Sequence, residues 1–514
     1  MKRLSILTLF VVLATVLAAC GGAPAATPAP AAPAAAPTTA PAAAPTTAPA
    51  AAPTTAPAAA PTTAPAAAAT TAPAAAATTA PAAAGASDSG VGGSEATARA
   101  AGLTALADAY AGKYKGQTVT MYGPFTAADE TKFNNSMKDF SSKTGITIQY
   151  VGTKEFEASV SAQVLGGAPP NIIDFPQPGL AATFAKQGKV IAADKLVPTD
   201  WLKKNYAQSW LDMAMQPGQD GKPMMAGVWH RFNAKDEVWY PKAAFDKAGY
   251  KIPTTWDELM ALTDQIAKDG DTAWCIGIGS GAATGWPATD WMETILLRTA
   301  PVSDYDNWVA GKLKFDSPQI RNVVSIMDKI WKNDKYVYGG KAAIVSTQFG
   351  DAPAPMFQNP PKCWLHKQGN FITSFFPQGV KPGVDYDFFY LPPIDSKYGK
   401  PYEVAGDYMV AFSDKPAVQA VYQLVTTGAG VKGWLAAGGA LGPQNDVSLD
   451  WYGDPIEKKI AGLVRQSTVV RFDGSDMMPG AVGSGTFWKG MTDYYSGAAS
   501  LDKVLPEIDA SWPK

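Results

Sequence analysis

The sequence predicts an α/β protein of two lobes with an interlobe cleft between them. Three observations carry this. Strand-like and helix-like patterns alternate as β-α-β-α-β between about residues 117 and 175, and a second alternation starts near Val238. The chain after residue 100 exceeds the ~100–200 residues usual for one domain. That stretch also holds every aromatic residue except Phe10, enough for large cores.

The elements follow in order. Val119-Thr120-Met121-Tyr122 reads as a strand. Thr126-Ala127-Ala128-Asp129 resembles a capping box opening a helix whose Phe133, Met137 and Phe140 share a face, with Gly145 as its end. Ile146, Ile148 and Tyr150 alternate as a strand, and Phe156, Val160 and Val164 space as a helix. Asn171 to Phe175 is a third strand. This order implies a mostly parallel sheet covered by helices. In the second region Val238-Trp239-Tyr240 is a strand and Thr255-Trp256-Asp257-Glu258 a capping box. Leu259, Leu262 and Ile266 form the stripe of its helix. Ser317-Pro318 opens another helix, with proline at its first position. Residues 416–437 read as helical and end at Gly438-Gly439.

The N-terminus has a different character. Lys2 and Arg3 precede an apolar run from Leu4 to Ala19, the pattern of an export signal over residues 1–19. Leu17-Ala18-Ala19-Cys20-Gly21 resembles a bacterial lipobox, in which Cys20 becomes the first mature residue and carries the lipid. Residues 20–100 are expected to be a disordered Ala/Pro/Thr-rich tether: an Ala-Ala-Ala-Pro-Thr-Thr-Ala-Pro octad recurs, and no charge falls between Arg3 and Asp88. The soluble body is then 101–514. Lobe 1 is expected over about 115–236 and 345–401, and lobe 2 over about 237–344 and 402–514.

Composition excludes several classes. The net charge is −2 and no Lys/Arg cluster occurs, which argues against nucleic acid. Two histidines and three cysteines make zinc or redox-metal sites unexpected. Gly428-Ala429-Gly430-Val431-Lys432-Gly433 fits a dinucleotide fingerprint but follows a helix-like run instead of a strand. No cofactor is expected. Cys275 and Cys363 remain after Cys20. In an exported chain a disulfide is expected between them, closing a loop of about 88 residues and stabilising by roughly 4–5 kcal/mol, the alternative being two buried thiols.

With Pro253-Thr254-Thr255-Trp256-Asp257-Glu258-Leu259 in the body, the chain resembles the family 1 extracellular solute-binding proteins of ATP-binding-cassette importers. Runs similar to the α-glucoside-binding branch include residues 168–181, Trp274 through Trp291, 360–368 and Arg471 through Gly480. The resemblance covers roughly 117–512. It implies a maltose-binding-protein-like lipoprotein with the periplasmic-binding-protein fold of class II type, closing its lobes over a small-molecule carbohydrate. It also implies crossing segments that act as a hinge between the lobes, a membrane permease partner, and a monomeric, non-enzymatic receptor; the lipobox adds a lipid anchor on the outer side of the cell membrane, and the lack of a phosphate-loop motif leaves ATP hydrolysis to a separate subunit. One departure stands out. His230-Arg231-Phe232-Asn233-Ala234-Lys235-Asp236-Glu237 is more polar than the resemblance leads one to expect, which puts the first crossing between lobes in doubt.

A sugar has an apolar face that rings cover and hydroxyls that carboxylates, amides and guanidinium groups pair. Trp286-Pro287-Ala288-Thr289-Asp290-Trp291 supplies both kinds of group after a glycine-rich lead, so Trp286, Thr289, Asp290 and Trp291 are candidates, with one tryptophan in the cleft. Phe125, Thr126 and Glu130 lie where a strand turns into a helix, and Gln177 follows another strand end. Tyr240, Asp351, Asp407, Arg471, Asp473 and Asp476 complete the set. Each has an ordinary alternative as core, cap, turn or internal ion pair. The competing functions are an exported glycoside hydrolase, using Asp290 with Asp473 or Asp476, and a polyamine-binding receptor on the same scaffold.

Overall fold

The computed structural model describes residues 90–513. The export signal, Cys20 and residues 20–89 of the expected tether lie outside the described residues. The ordered body starts earlier than position 101. Ser94 and Thr97 form a reciprocal capping box for helix Glu95–Ala100, and helix Thr104–Tyr110 buries Ala105, Leu106, Ala107 and Ala109. Small apolar side chains there have a core to enter, which overrides the tether-like composition.

A six-stranded sheet is built from β1 (Thr118–Gly123), β2 (Thr147–Gly152), β3 (Ile172–Phe175), β6 (Val228–Ala234), β10 (Pro401–Ala411) and β11 (Val469–Phe472), in the order β11-β10-β3-β1-β2 with β6 also on β10. Between β3 and β6 lies a hairpin of β4 (Met215–Pro217) and β5 (Pro223–Met225). β1 runs parallel to β2 and β3, as the alternating pattern implies. β10 runs parallel to β11 but antiparallel to both β3 and β6, so the sheet is mixed, with three of its five strand pairings parallel. A register shift between Gly406 and Tyr408 places Asp407 in a bulge of β10 opposite β6.

The second region departs further from expectation. Its sheet has three antiparallel strands, with β7 (Glu237–Tyr240) between β8 (His366–Lys367) and β9 (Asp387–Tyr390). The rest is helical: Trp256–Lys268, Trp286–Leu297, Pro318–Trp331, Trp488–Ser496 and Leu501–Ala510. The capping box at Thr255 forms with both reciprocal bonds. That at Thr126 does not: Ala127 takes φ 52, and the Thr126 side chain accepts no bond from its helix.

Two hydrophobic cores result. The first gathers Val119, Ile173, Phe133, Tyr408 and Trp434; the second gathers Leu259, Trp274, Trp291, Trp331 and Leu505. Residues 402–461, expected in the second lobe, place their buried side chains in the first core, because β10 completes its sheet and helices Pro416–Val425 and Gly428–Ala437 cover it. The small sheet is shared. Val238, Tyr240 and Phe389 enter the second core, while Trp239 and Phe388 enter the first. Period-two alternation along a strand buried on both sides explains this division.

Cys275 and Cys363 form a disulfide with Cα atoms 5.6 Å apart. It joins segments already bridged at Trp274 and Leu365, so it spans no cleft. Among the described residues no helix is long and apolar enough to cross a membrane.

Candidate functional site

The chain crosses between the cores along β6 and β7, and every residue from 226 to 241 is buried. Burying isolated charge is prohibitive, so each charge on this run needs a partner. All have one. Arg231 Nε meets Asp407 Oδ2 at 2.6 Å. Lys235 Nζ meets Asp290 Oδ1 at 2.9 Å and Asp473 Oδ2 at 2.5 Å. Asp236 Oδ1 pairs with Arg298 Nη1 at 3.1 Å, and Glu237 Oε1 accepts from the Tyr402 hydroxyl at 2.7 Å. The polar run that departs from the family resemblance is therefore a crossing strand matched by charges from other segments.

Arg231, Asn233 and Lys235 alternate, and the Arg231 guanidinium donates to Asn233 Oδ1 at 3.1 Å. At one end the Arg231 guanidinium lies 4.8 Å from the Phe125 ring centre and 4.2 Å from that of Trp434. Phe125 in turn stacks on Tyr150 at 5.4 Å. At the other end Lys235 Nζ lies 5.1 Å from the Trp286 ring. Trp286 meets Phe349 at 5.1 Å and Phe371 at 5.8 Å, and Phe349 meets Phe375 at 5.1 Å. Trp286, Phe349 and Phe371 are half-buried and Phe375 is 40% exposed, so this wall has open ring surface.

Local geometry sets the wall and its acids. Gly285 has φ 116 and a Cβ there would collide with the Trp488 carbonyl, so glycine is required just before Trp286. Asp290 follows one helical turn later. The Asp473 side chain accepts from Asp476 N at 3.0 Å and from Ser475 Oγ at 2.8 Å. The Thr289 hydroxyl and Trp488 Nε1 both reach Ser475 Oγ, at 3.2 and 3.0 Å.

Charge follows burial. Burial raises the Asp290 carboxyl to about 7, against the pull of Lys235. Asp473 is also buried, but Lys235 and its other donors outweigh that and hold it below the ordinary carboxylate range. Lys235 resists desolvation because Asp290 and Asp473 flank it, and stays protonated. Burial and the Asp473 charge push Asp476 well up. Burial raises Asp407 to about 6 despite Arg231.

Several acceptors have no donor. Asp290 Oδ2, Gln177 Oε1, Asp129 Oδ1 and both oxygens of Asp174 are buried without a hydrogen bond from any described residue. The Asp476 carboxylate, in a residue only 5% exposed, meets no donor among the described residues. Gln177 Nε2 donates to Glu157 at 3.1 Å, and Glu157 adds to the field at Asp476. The region is thus rich in acceptors beside an open aromatic wall. Oxygens of Asp290, Glu403 and Asp473 lie within 4.8 Å of one another, a spacing that could hold a metal ion. The Lys235 ammonium sits on two of the three and supplies the balancing charge.

The sequence-derived candidates divide. Trp286, Thr289, Asp290, Asp473, Asp476 and Gln177 come together, and Phe125 and Asp407 join at Arg231. Trp291 does not: it is 3% exposed and packs on Trp274 and Trp331 in the second core. Tyr240 is core against Phe245 and Phe389. Arg471 forms a two-toothed surface pair with Asp306 at 2.6 and 2.9 Å. Asp351 is exposed in its loop, and Thr126 and Glu130 are half-buried with no side-chain partner among the described residues. Sequence reasoning missed Arg231, Lys235, Asp174, Trp434, Phe349, Phe371 and Phe375. The charged run inside an apolar stretch signalled the first two, and nothing local marks the others.

Comparison with known proteins agrees with this architecture. The description "bacterial extracellular solute-binding protein" matches residues 126–433. The alpha-glucosides-binding periplasmic protein AglE of Rhizobium meliloti (strain 1021) is 40% identical over 402 residues, covering 77% of this chain and 87% of its own. The osmoprotective compounds-binding protein GgtB of Synechocystis sp. is 39% identical over 396 residues, covering 77% and 92%. Among solved structures, the bacterial solute receptor AcbH superposes with a TM-score of 0.65 at 17% identity, covering 77% of this chain and 97% of that one. Maltose-bound T. maritima MalE3 gives 0.60 at 14%, covering 77% and 98%. The two-core α/β architecture and a match over more than half the sequence make this chain a member of the bacterial extracellular solute-binding protein family.

Proposed function

We propose that the protein is the substrate-binding subunit of an ATP-binding-cassette sugar importer, capturing an α-glucoside or related oligosaccharide between its two cores and passing it to membrane permease subunits. The observation that carries this is the open ring wall of Trp286, Phe349, Phe371 and Phe375 beside Gln177 Oε1 and Asp290 Oδ2, buried acceptors with no donor among the described residues. Rings cover the C–H face of a pyranose, and its hydroxyls are the donors those oxygens need. The names of the relatives support the ligand class, since AglE is named for alpha-glucosides and GgtB for osmoprotective compounds.

Capture without hydrolysis also fits. Asp290 and Asp473, the pair suited on paper to a glycosidase, are 2% and 1% exposed and share Lys235 instead of flanking open space. Export, lipid attachment at Cys20, anchoring outside the cell membrane and a monomeric state belong to this reading. So does the division into two moving lobes built on the two cores.

A thermal-shift panel with maltose, sucrose, trehalose and spermidine tests it. A ligand present at about 100 times its dissociation constant adds about 2.7 kcal/mol of stability. A rise with one of the sugars, and that sugar recovered intact, is expected. A rise with spermidine alone, or released glucose, overturns the reading.

A further inference from the structure

The described chain begins 36 residues before the family match, which starts at residue 126. We propose that residues 90–116 are a clasp that positions the helix carrying Trp434, and so couples the N-terminal segment to the Arg231 end of the site. The ligand arm of this inference rests on the carbohydrate reading above; the coupling itself does not.

The clasp is a built contact. Ala98, Leu103, Ala105, Leu106, Ala107 and Ala109 are buried in the first core. Leu106 N donates to Gln423 Oε1 at 2.9 Å, and Gln423 Nε2 donates to the Leu196 carbonyl at 2.9 Å, so one buried amide ties three segments. The Tyr110 hydroxyl donates to the Gly92 carbonyl at 2.9 Å, folding the segment back on itself. Its leading turn then presses on the start of helix Gly428–Ala437. Gly92 has φ 83, and a Cβ there would lie 2.7 Å from Thr427 Oγ1. Gly90 has φ 71, and its Cβ would lie 2.8 Å from the Trp451 ring.

Thr427 is the cap of that helix: its hydroxyl accepts from Gly430 N at 3.3 Å and donates to the Leu424 carbonyl at 2.7 Å. Further along, Gly430 O meets His230 Nε2 at 3.0 Å, and Trp434 lies under Arg231 and edge-on to Phe125 at 4.9 Å. A continuous line of contacts therefore runs from Gly92 through Thr427 to Arg231. The glycine at 92 lets the turn approach the cap without displacing it.

Gly92→Val in the full chain tests this, with hydrogen exchange of residues 428–437 as the ligand-free readout. Exchange there is expected to quicken while β1 to β3 stay protected. Maltose binding is expected to weaken about five-fold, the lower end of typical site-to-site coupling. By reciprocity, maltose should slow exchange at residues 95–110 in the wild type. Unchanged exchange at 428–437 in Gly92→Val overturns the clasp, whether or not any sugar binds. A wild type whose melting temperature no sugar raises overturns the carbohydrate reading and leaves the exchange result to decide the coupling. If Gly92→Val fails to fold, Leu106→Ala, which withdraws the same segment's buried side chain from the first core, gives the same two readouts.

Discussion

Gly179 and Met478 touch across the line between the two cores: a Cβ at Gly179 would collide with the Met478 carbonyl oxygen. Gly179 lies in helix Pro178–Lys186, whose Phe184 and Ala185 belong to the first core, and Met478 belongs to the second. Two residues on, a Cβ at Gly480 would come within 3.1 Å of Leu180 Cδ1. Backbone thus meets backbone between the segments carrying Gly179 and Met478, and a side chain at 179 stands in the way of that contact.

Gly179→Val should therefore drive a side chain against the Met478 backbone at the edge of the second core and disfavour the arrangement that brings the two segments together. Sugar affinity is expected to fall about tenfold or more, as the binding-competent population falls. The melting temperature without sugar should fall as well, because the collision is with a buried residue of the second core. Titration calorimetry checks the affinity and a thermal melt the stability.

The two tryptophans of the Trp286–Leu297 helix should separate cleanly. Trp286→Ala is expected to weaken sugar binding by about 1–3 kcal/mol through lost ring contact, with little change in stability. Trp291→Ala is expected to destabilise by about 3–5 kcal/mol, because that ring is buried between Trp274 and Trp331. Chemical denaturation and a binding isotherm on each variant distinguish them.

Lys235→Met should be among the most damaging changes on the crossing strand. It leaves Asp290 and Asp473 buried with no cation between them, at a cost of about 3–5 kcal/mol. Adding Asp473→Asn to it should recover part of that loss. A double-mutant cycle in urea measures the coupling.

The two histidines give a pH dependence of defined sign. Burial holds His230 and His366 down at about 4, from an ordinary 6.5. Between those values the unfolded imidazole binds a proton that the folded one does not, so stability is present above 6.5 and is lost as pH falls toward 4. Each contributes about 3 kcal/mol over that window. In His366→Asn, whose amide can still donate to the Cys275 carbonyl, that share of the slope should vanish. Urea unfolding of both proteins at pH 7 and pH 4.5 reads it, and parallel curves would refute it.

What could be read from sequence was local. The Thr255 capping box and the stripe Leu259, Leu262 and Ile266 formed as their spacing implies, because all their partners lie within a few turns. The same signature at Thr126 placed the start of its helix, with Thr126 as cap, but its side-chain bonds do not form, because Ala127 takes a left-handed backbone there. Trp286 and Trp291 stand five residues apart, about 140° around a helix, so both could not face one cleft. Spacing alone could not choose between them. The charged run at 230–237 looked out of place because its partners Asp290, Asp407 and Asp473 come from other segments, 55 to 238 residues away for Lys235. The ring partners of Trp286 at 349 and 371, and Phe375 packed on Phe349, are likewise tertiary. They carry no periodic signal.

The small sheet of β7, β8 and β9 has a mechanical consequence. Adjacent side chains Val238 and Trp239 are rooted in different cores, so neither body can slide along the other without tearing a strand it also owns. Like the fused end of a pair of tweezers, the sheet permits bending and forbids shear. Damage at one position there should be felt on both arms at once.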